Sequence, residues 1–381
     1  MKNWKRSVVA TVGLAFVAAT QGQAEDMTLT SGFPPGSIPP VAHQALADWL
    51  KANSDLEVSV SAMTLLSLPE SSPGVRDGIV DMAYILTQYY PAEYANSNLA
   101  ADMTMLATVG TPAAAPGVVM AAAVAEYVLF NCPECIGEFK TQNQLYLGSG
   151  ASSAYALMCA KPITSVADLK GKKIRVGGDN FGRWAEHFGA TRVTLPGAEI
   201  YEALAQGVVD CSTLSTPEIV NWSLFDVLKQ VIMGAPGGVF AGVASNNINL
   251  DTWRGLNDDQ RAKLMYGAAH VSAGVAVGYQ VEAKNAEAMA KEKGIDIGPA
   301  FAELKAASDA FVAEDMKTVA EQFKTKYNLQ DVDARMVTIT GLVEKWKGLM
   351  NGVDGTDHAA VTDLLWTELY SKVDLATYGL N

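Results

Sequence analysis

The chain has 381 residues, 49% of them hydrophobic and 18% charged, with a formal net charge of −13. Its length exceeds one typical domain and its apolar share is ample for sizeable cores, so two lobes or one large α/β unit is expected. A surface this acidic repels phosphate backbones, and no basic cluster with interleaved aromatics occurs, which excludes nucleic acid as a partner.

Residues 1–24 have the layout of a secretory signal. Lys2, Lys5 and Arg6 precede an apolar stretch over residues 8–19, and Gly22-Gln23-Ala24 places small residues where signal peptidase reads them. The stretch is too short for a permanent anchor. Cleavage after Ala24 leaves about 357 residues with 25 basic and 41 acidic side chains, a net charge of −16. The expected location of this mature chain is the periplasm, and it is not expected to be membrane-embedded.

In chain order, residues 27–31 read as a strand and Phe33 to Pro40 as a proline-rich loop. A helix over 41–52 carries Ala45, Leu46, Trp49 and Leu50 on one face, and residues 57–62 alternate as a second strand. A loop rich in Pro, Ser and Gly, a short helical piece and Gly78 lead to a strand over 79–86. This succession predicts a parallel sheet with helices on its faces. The apolar segment 110–130 is interrupted by Pro112, Pro116 and Glu126, and its alanines suit a packed helix better than a membrane span.

Cys132-Pro133-Glu134-Cys135 follows. In an oxidising compartment this pair can close a disulfide or act as a thiol-redox pair. Cys159 and Cys211 are too dispersed to complete a zinc pattern, though spacing alone leaves contact in space open.

Ser165 to Asp168 form a capping-box variant that opens a short helix ended by Gly171. Lys173-Ile174-Arg175-Val176 is a strand with a Gly177-Gly178-Asp179-Asn180 exit loop. A helix over 181–188, a strand over 192–195, a helix over 198–206 and a strand over 208–213 continue the pattern. Beyond lie a helix near 219–228, an apolar strand pair flanking residues 234–238, and an Asp258-Asp259 cap. From that cap a helical pattern runs toward Gly294, roughly 35 residues and about 50 Å. Such a helix outspans one small lobe, so it is expected to lie across both. The tail carries a further helix near 358–370.

The segment Asp168 to Val176, with Phe188-Gly189-Ala190, Glu199 to Leu204 and Gly207-Val208-Val209-Asp210, resembles the solute-binding proteins of tripartite ATP-independent periplasmic (TRAP) transporters. Arg76 to Met82 and Asn257 to Ala268 add to the likeness, which covers roughly residues 27–346. The resemblance implies an α/β two-lobed clamshell with mixed sheets, strand exchange between lobes and a lobe-bridging helix. It implies capture of a small organic acid and its delivery to TRAP membrane permease subunits for secondary active uptake. It also implies that Arg175 grips a ligand carboxylate with both arms of its guanidinium, a planar donor fork matched to that group.

Two departures bear on the ligand. Tyr155 stands where many relatives carry a second basic residue, and Leu214 where the family has an asparagine, with Cys211 replacing a glycine. These changes predict fewer polar contacts and a monocarboxylate, or a similarly weakly charged ligand, with an apolar or aromatic body.

Trp184 and Trp222 are candidates for stacking on that body. Phe33 and Ser37 in the first strand-to-helix loop, Gln88 and Tyr89 after a strand, and Ser215 and Thr216 complete the candidate site. Glu199 is expected to brace structure. The anticipated division is 25–148 with about 238–270 in lobe I, 149–237 with about 271–300 in lobe II, and C-terminal helices over 301–381 packing on both.

No catalytic constellation is expected. His43, His187, His270 and His358 are scattered, and there is no nucleophile elbow, phosphate loop, metal set or cofactor fingerprint. The alternatives are a binding protein for an ABC permease or sensor, and a periplasmic thiol oxidoreductase using Cys132 and Cys135.

Overall fold

The computed structural model describes residues 25–109 and 113–381; the expected signal segment and residues 110–112 lie outside the described residues. Two mixed sheets organise the chain. In the first, Leu56–Ser61, Glu25–Thr30 and Met82–Leu86 run parallel, and Val243–Asn249 joins antiparallel to the last of these, with Gln144–Leu145 and Ser149–Gly150 paired to it. In the second, the order is Asp296–Pro299, Gln230–Met233, Ala154–Cys159, Cys211–Ser215, Lys173–Val176 and Thr191–Thr194. Pro236–Val239 also pairs with Ala154–Cys159.

The chain therefore passes between sheets after Gly150 and again after Val239. These two crossings are tied together: Ser152 N donates to Phe240 O at 2.9 Å, and Phe240 N donates back to Ser152 Oγ at 2.9 Å. A third crossing is made by the helix Asp258–Glu292, 35 residues long. It packs against the helix Ile38–Asn53 and the first sheet, and further along against the Asp296–Pro299 strand of the second. Its cap is one residue earlier than the sequence reading places it. Asn257 Oδ1 accepts from Gln260 N and Gln260 Oε1 accepts from Asn257 N, a reciprocal box that satisfies two otherwise orphaned donors.

Most elements follow the periodicities that announce them, with two informative differences. The first helix begins at Ile38 rather than near 41, because Pro39 and Pro40 occupy its first turn, where no amide hydrogen is needed. The helix expected near 219–228 shrinks to Glu218–Asn221. Ser223 adopts a left-handed conformation with φ 55°, which interrupts the helical path directly after Trp222.

Both cysteine pairs are disulfides, Cys132–Cys135 and Cys159–Cys211. The second answers the question that spacing leaves open for Cys159 and Cys211. Their 52-residue separation hides the fact that they lie on neighbouring strands of one sheet. No single described helix is long and apolar enough to cross a membrane, and the apolar helix Pro116–Glu126 is buried in the protein's own core.

The helix Ala302–Thr325 is joined to both halves by a buried ionic cluster. Arg183, on the helix Asp179–His187, donates through Nε and Nη2 to both oxygens of Asp315, at 2.7 and 3.0 Å. Its Nη1 donates to Asp102 at 2.9 Å and to Gln322 at 3.1 Å.

Candidate functional site

A cleft between the two sheets narrows to a cavity of about 50 Å³, room for a few water-sized positions. Phe33, Leu68, Tyr84, Leu86, Tyr89 and Val243 wall it from the first-sheet side. Tyr155, Arg175, Gly177, Gly197, Leu214, Glu218, Trp222 and Phe240 wall it from the other, and the long helix adds Tyr279. Aromatic and aliphatic surface dominates. Among these lining residues Arg175 is the one cation and Glu218 the one anion.

Arg175 is the third residue of the Lys173–Val176 strand, paired in parallel on both sides, with Val193 and Ser212 as register partners. Alternation buries Ile174 and Val176 on one face and sends Arg175 to the other. Its Nε and Nη2 both donate to the carbonyl oxygen of Leu195, at 2.9 and 2.8 Å. This clamp fixes the plane of the guanidinium. Nη1 has no hydrogen-bond partner among the described residues, so the Nη1/Nη2 end keeps donors for a carboxylate. Gly177 makes room for that end, since a Cβ there would lie 3.3 Å from Nη1.

Contacts across the cleft draw its walls together. The Tyr89 hydroxyl accepts from Gly197 N at 3.2 Å and from Arg175 Nη2 at 3.5 Å. Phe33 meets Trp222 across the cleft with ring centroids 5.5 Å apart and, within its own wall, Tyr84 edge-on at 5.7 Å. Tyr155 stacks on Phe181 at 4.4 Å. Burial pushes the Tyr84 and Tyr155 hydroxyls up, outweighing the opposing Arg175 charge at Tyr155, so both present neutral phenols. An adjoining outer groove of about 460 Å³ shares Tyr89 and Gly177 with the cavity and is bordered by Gln88, Asp179 and Lys326.

The structure brings together Arg175, Tyr155, Trp222, Phe33 and Tyr89, with Leu214 at the position where the family pattern has an asparagine. It separates the other candidates. Trp184 is fully buried and donates from Nε1 to Ser308 Oγ at 3.0 Å, so its indole packs the helix layer rather than the cavity. Ser215 is buried in the sheet opposite Tyr155, and Thr216 donates to Ala283 O at 3.4 Å, which ties it to the long helix. Gln88 lines the outer groove, and Ser37 donates to Pro34 O within its own loop. Sequence reasoning missed Tyr84, Gly197, Glu218, Phe240 and Tyr279. Tyr279 sits midway along a 35-residue helix and Phe240 at an inter-sheet crossing, positions that local periodicity does not mark.

The family model of DctP, the bacterial extracellular solute-binding protein family 7, matches residues 132–324, just over half of the chain. The chain belongs to this family. It is the TRAP solute-binding family that the collinear motifs around Arg175 resemble. A solute-binding protein of Albidiferax ferrireducens is 29% identical over 141 residues, 37% of this chain, and the match spans 38% of that relative's length.

Solved structures share the fold of the family-7 chain. A TRAP solute-binding protein from Rhodoferax ferrireducens, in complex with copurified benzoate, gives a TM-score of 0.71 at 17% identity, covering 85% of this chain and 99% of that one. A marine metagenome protein specific for aromatic acids, with 3-hydroxybenzoate, gives 0.70 at 18%, covering 85% and 99%. A marine metagenome protein specific for pyroglutamate gives 0.69 at 17%, with the same coverage.

The thiol reading finds little support in the geometry. Cys132 and Cys135 are joined and almost wholly buried, at 1% and 0% exposure, and lie apart from the cleft. A redox-active pair needs an accessible thiol.

Proposed function

We propose that this chain is the exported, periplasmic receptor of a TRAP transporter, which closes on a small monocarboxylate with an apolar or aromatic body and presents it to the membrane permease. The observation that carries the reading is Arg175. Its guanidinium is clamped by Leu195 O and keeps its Nη1 donors at the wall of an aromatic cavity between two sheets. A carboxylate at that end completes a charge-assisted pair, and its hydrocarbon body fills the space among Phe33, Tyr155, Leu214 and Trp222. Relatives of the same fold carry benzoate, 3-hydroxybenzoate and pyroglutamate, all monocarboxylates of small ring systems. Leu214 and the neutral Tyr155 leave a second ligand carboxylate without a cation, which disfavours C4-dicarboxylates.

Because ligand contacts come from both walls, binding favours the closed arrangement, and the free energy for closure comes from differential affinity for it. The crossings at Ser152 and Phe240 and the long helix are the connections about which closure turns.

A thermal-shift screen of aliphatic, keto, hydroxy, aromatic and dicarboxylic acids tests this function. A ligand at 100 times its dissociation constant adds about 2.7 kcal/mol and raises Tm by a few degrees. Hits concentrated among small monocarboxylates are expected. Selective stabilisation by succinate and malate, or by no acid at all, contradicts it.

A further inference from the structure

The cavity contains one acidic side chain, and an acid-binding pocket has no evident use for it. Glu218 opens the short helix Glu218–Asn221 and is 94% buried, with 6% exposure. Oε1 accepts a hydrogen bond from Tyr279 of the long helix at 2.7 Å. Oε2 is buried with no hydrogen-bond partner. Asn221 and Trp222 lie beside the carboxyl and favour its charged form, but Oε2 has no hydrogen bond of good geometry from either, and Asn221 Nδ2 is itself unpartnered. A buried carboxyl oxygen without a donor is costly, and native structures rarely leave one so.

We propose that Glu218 is a specificity-determining residue whose free oxygen accepts a hydrogen bond from an N–H or O–H group of the ligand, so that the pocket prefers acids carrying such a donor. The inference rests on the proposed capture of an acid at Arg175. The two groups then read opposite features of one small molecule: Arg175 takes the carboxylate, and Glu218 takes a donor elsewhere on the body. Burial pushes the Glu218 carboxyl above its usual range, and it prevails over the Tyr279 hydrogen bond and the smaller help of Asn221, Trp222 and the Arg175 charge. A ligand donor supplies Oε2 with a partner. A bare hydrocarbon acid leaves Oε2 unpaired. The ligand class this selects comprises lactam or other N–H acids and hydroxy acids of ring size.

The test pairs isosteric acids that differ only in the donor: pyroglutamate against the corresponding lactone acid, whose ring N–H is replaced by oxygen, and 3-hydroxybenzoate against 3-fluorobenzoate. Affinities are measured by calorimetry for the wild type, Glu218→Gln, Glu218→Leu and Arg175→Ala, with denaturation midpoints as the folding control. A hydrogen bond to a charged group corresponds to about 10- to 150-fold in affinity. The expected result is a wild-type preference of that size for the donor member of at least one pair. It should fall below about threefold in Glu218→Leu while affinity for the donor-free member holds or improves. Glu218→Gln reports charge: its amide oxygen still accepts, so it should keep part of the preference. Equal wild-type affinity within both pairs, preference for the lactone acid, or an undiminished preference in a folded Glu218→Leu overturns the inference. Failure of the underlying reading looks different, since then no member binds or binding survives Arg175→Ala.

Discussion

Arg183→Met removes the cation from a buried cluster while keeping an unbranched side chain. Arg183 makes four hydrogen bonds, two to Asp315, one to Asp102 and one to Gln322, and both carboxylates are at least 95% buried. The bonds themselves are a poor guide to the cost, because the pair has already been desolvated. What matters is that two buried carboxylates lose their counter-ion, a change that typically costs about 3–5 kcal/mol. Burial already pushes Asp102 up, against the attraction of Arg183, so the site works against its own desolvation even with the arginine present. Replacing the carboxylates as well should restore much of the loss. The triple variant Arg183→Met, Asp102→Asn, Asp315→Asn is expected to recover at least half, as a neutral cluster needs no counter-ion. Urea denaturation at pH 7.5, followed by far-UV circular dichroism, measures all variants. A loss below about 1 kcal/mol for Arg183→Met, or a triple variant no more stable than the single one, refutes the reasoning.

Three further outcomes follow from other parts of the fold. Gly197→Ala places a Cβ 2.7 Å from Trp222 Cζ2, so the indole must move; overpacking of about 1–3 kcal/mol should appear as ligand affinity reduced about 5- to 150-fold, read by calorimetry. Removing the Cys159–Cys211 bridge as Ser/Ser should cost about 4 kcal/mol in denaturation from its 52-residue span, far more than removing the three-residue Cys132–Cys135 bridge. His43 is fully buried, burial lowers its pKa to about 4, and its Nε2 lies 2.7 Å from Ser245 O. The unfolded chain protonates this imidazole near pH 6.5 and the folded one only near 4. Acidification through that window therefore destabilises the wild type by roughly 3 kcal/mol relative to His43→Gln, measurable as converging denaturation midpoints.

Local sequence rules reached the fold where backbone chemistry is self-contained. The Lys173–Val176 strand is read within its bounds, and Gly207, with φ 68°, ends its helix as expected of a residue free to adopt the left-handed region. The long helix is legible because 35 residues of unbroken pattern allow little else. The site was only half legible, because a cavity is made by distant segments converging. Arg175, Tyr155, Trp222 and Phe33 were reached through motif position and loop type. Trp184 was misplaced since an indole in a helix after the key strand has two faces to choose from, and Ser308, 124 residues away, decides which one it takes. Glu218 was missed for a different reason: an acid-binding site argues against carboxylates, and only the unpaired Oε2 beside the cavity reveals its position.

The central claim is that Arg175 holds the carboxylate of a small acid in the cleft. Calorimetric titration of the wild type and Arg175→Gln with the best monocarboxylate from the screen tests it most directly. Two charge-assisted hydrogen bonds correspond to about 3–6 kcal/mol, so Arg175→Gln should weaken binding by at least about 100-fold, with a denaturation curve of the ligand-free variant to show that it is folded. An unaltered dissociation constant in a folded Arg175→Gln would contradict the account.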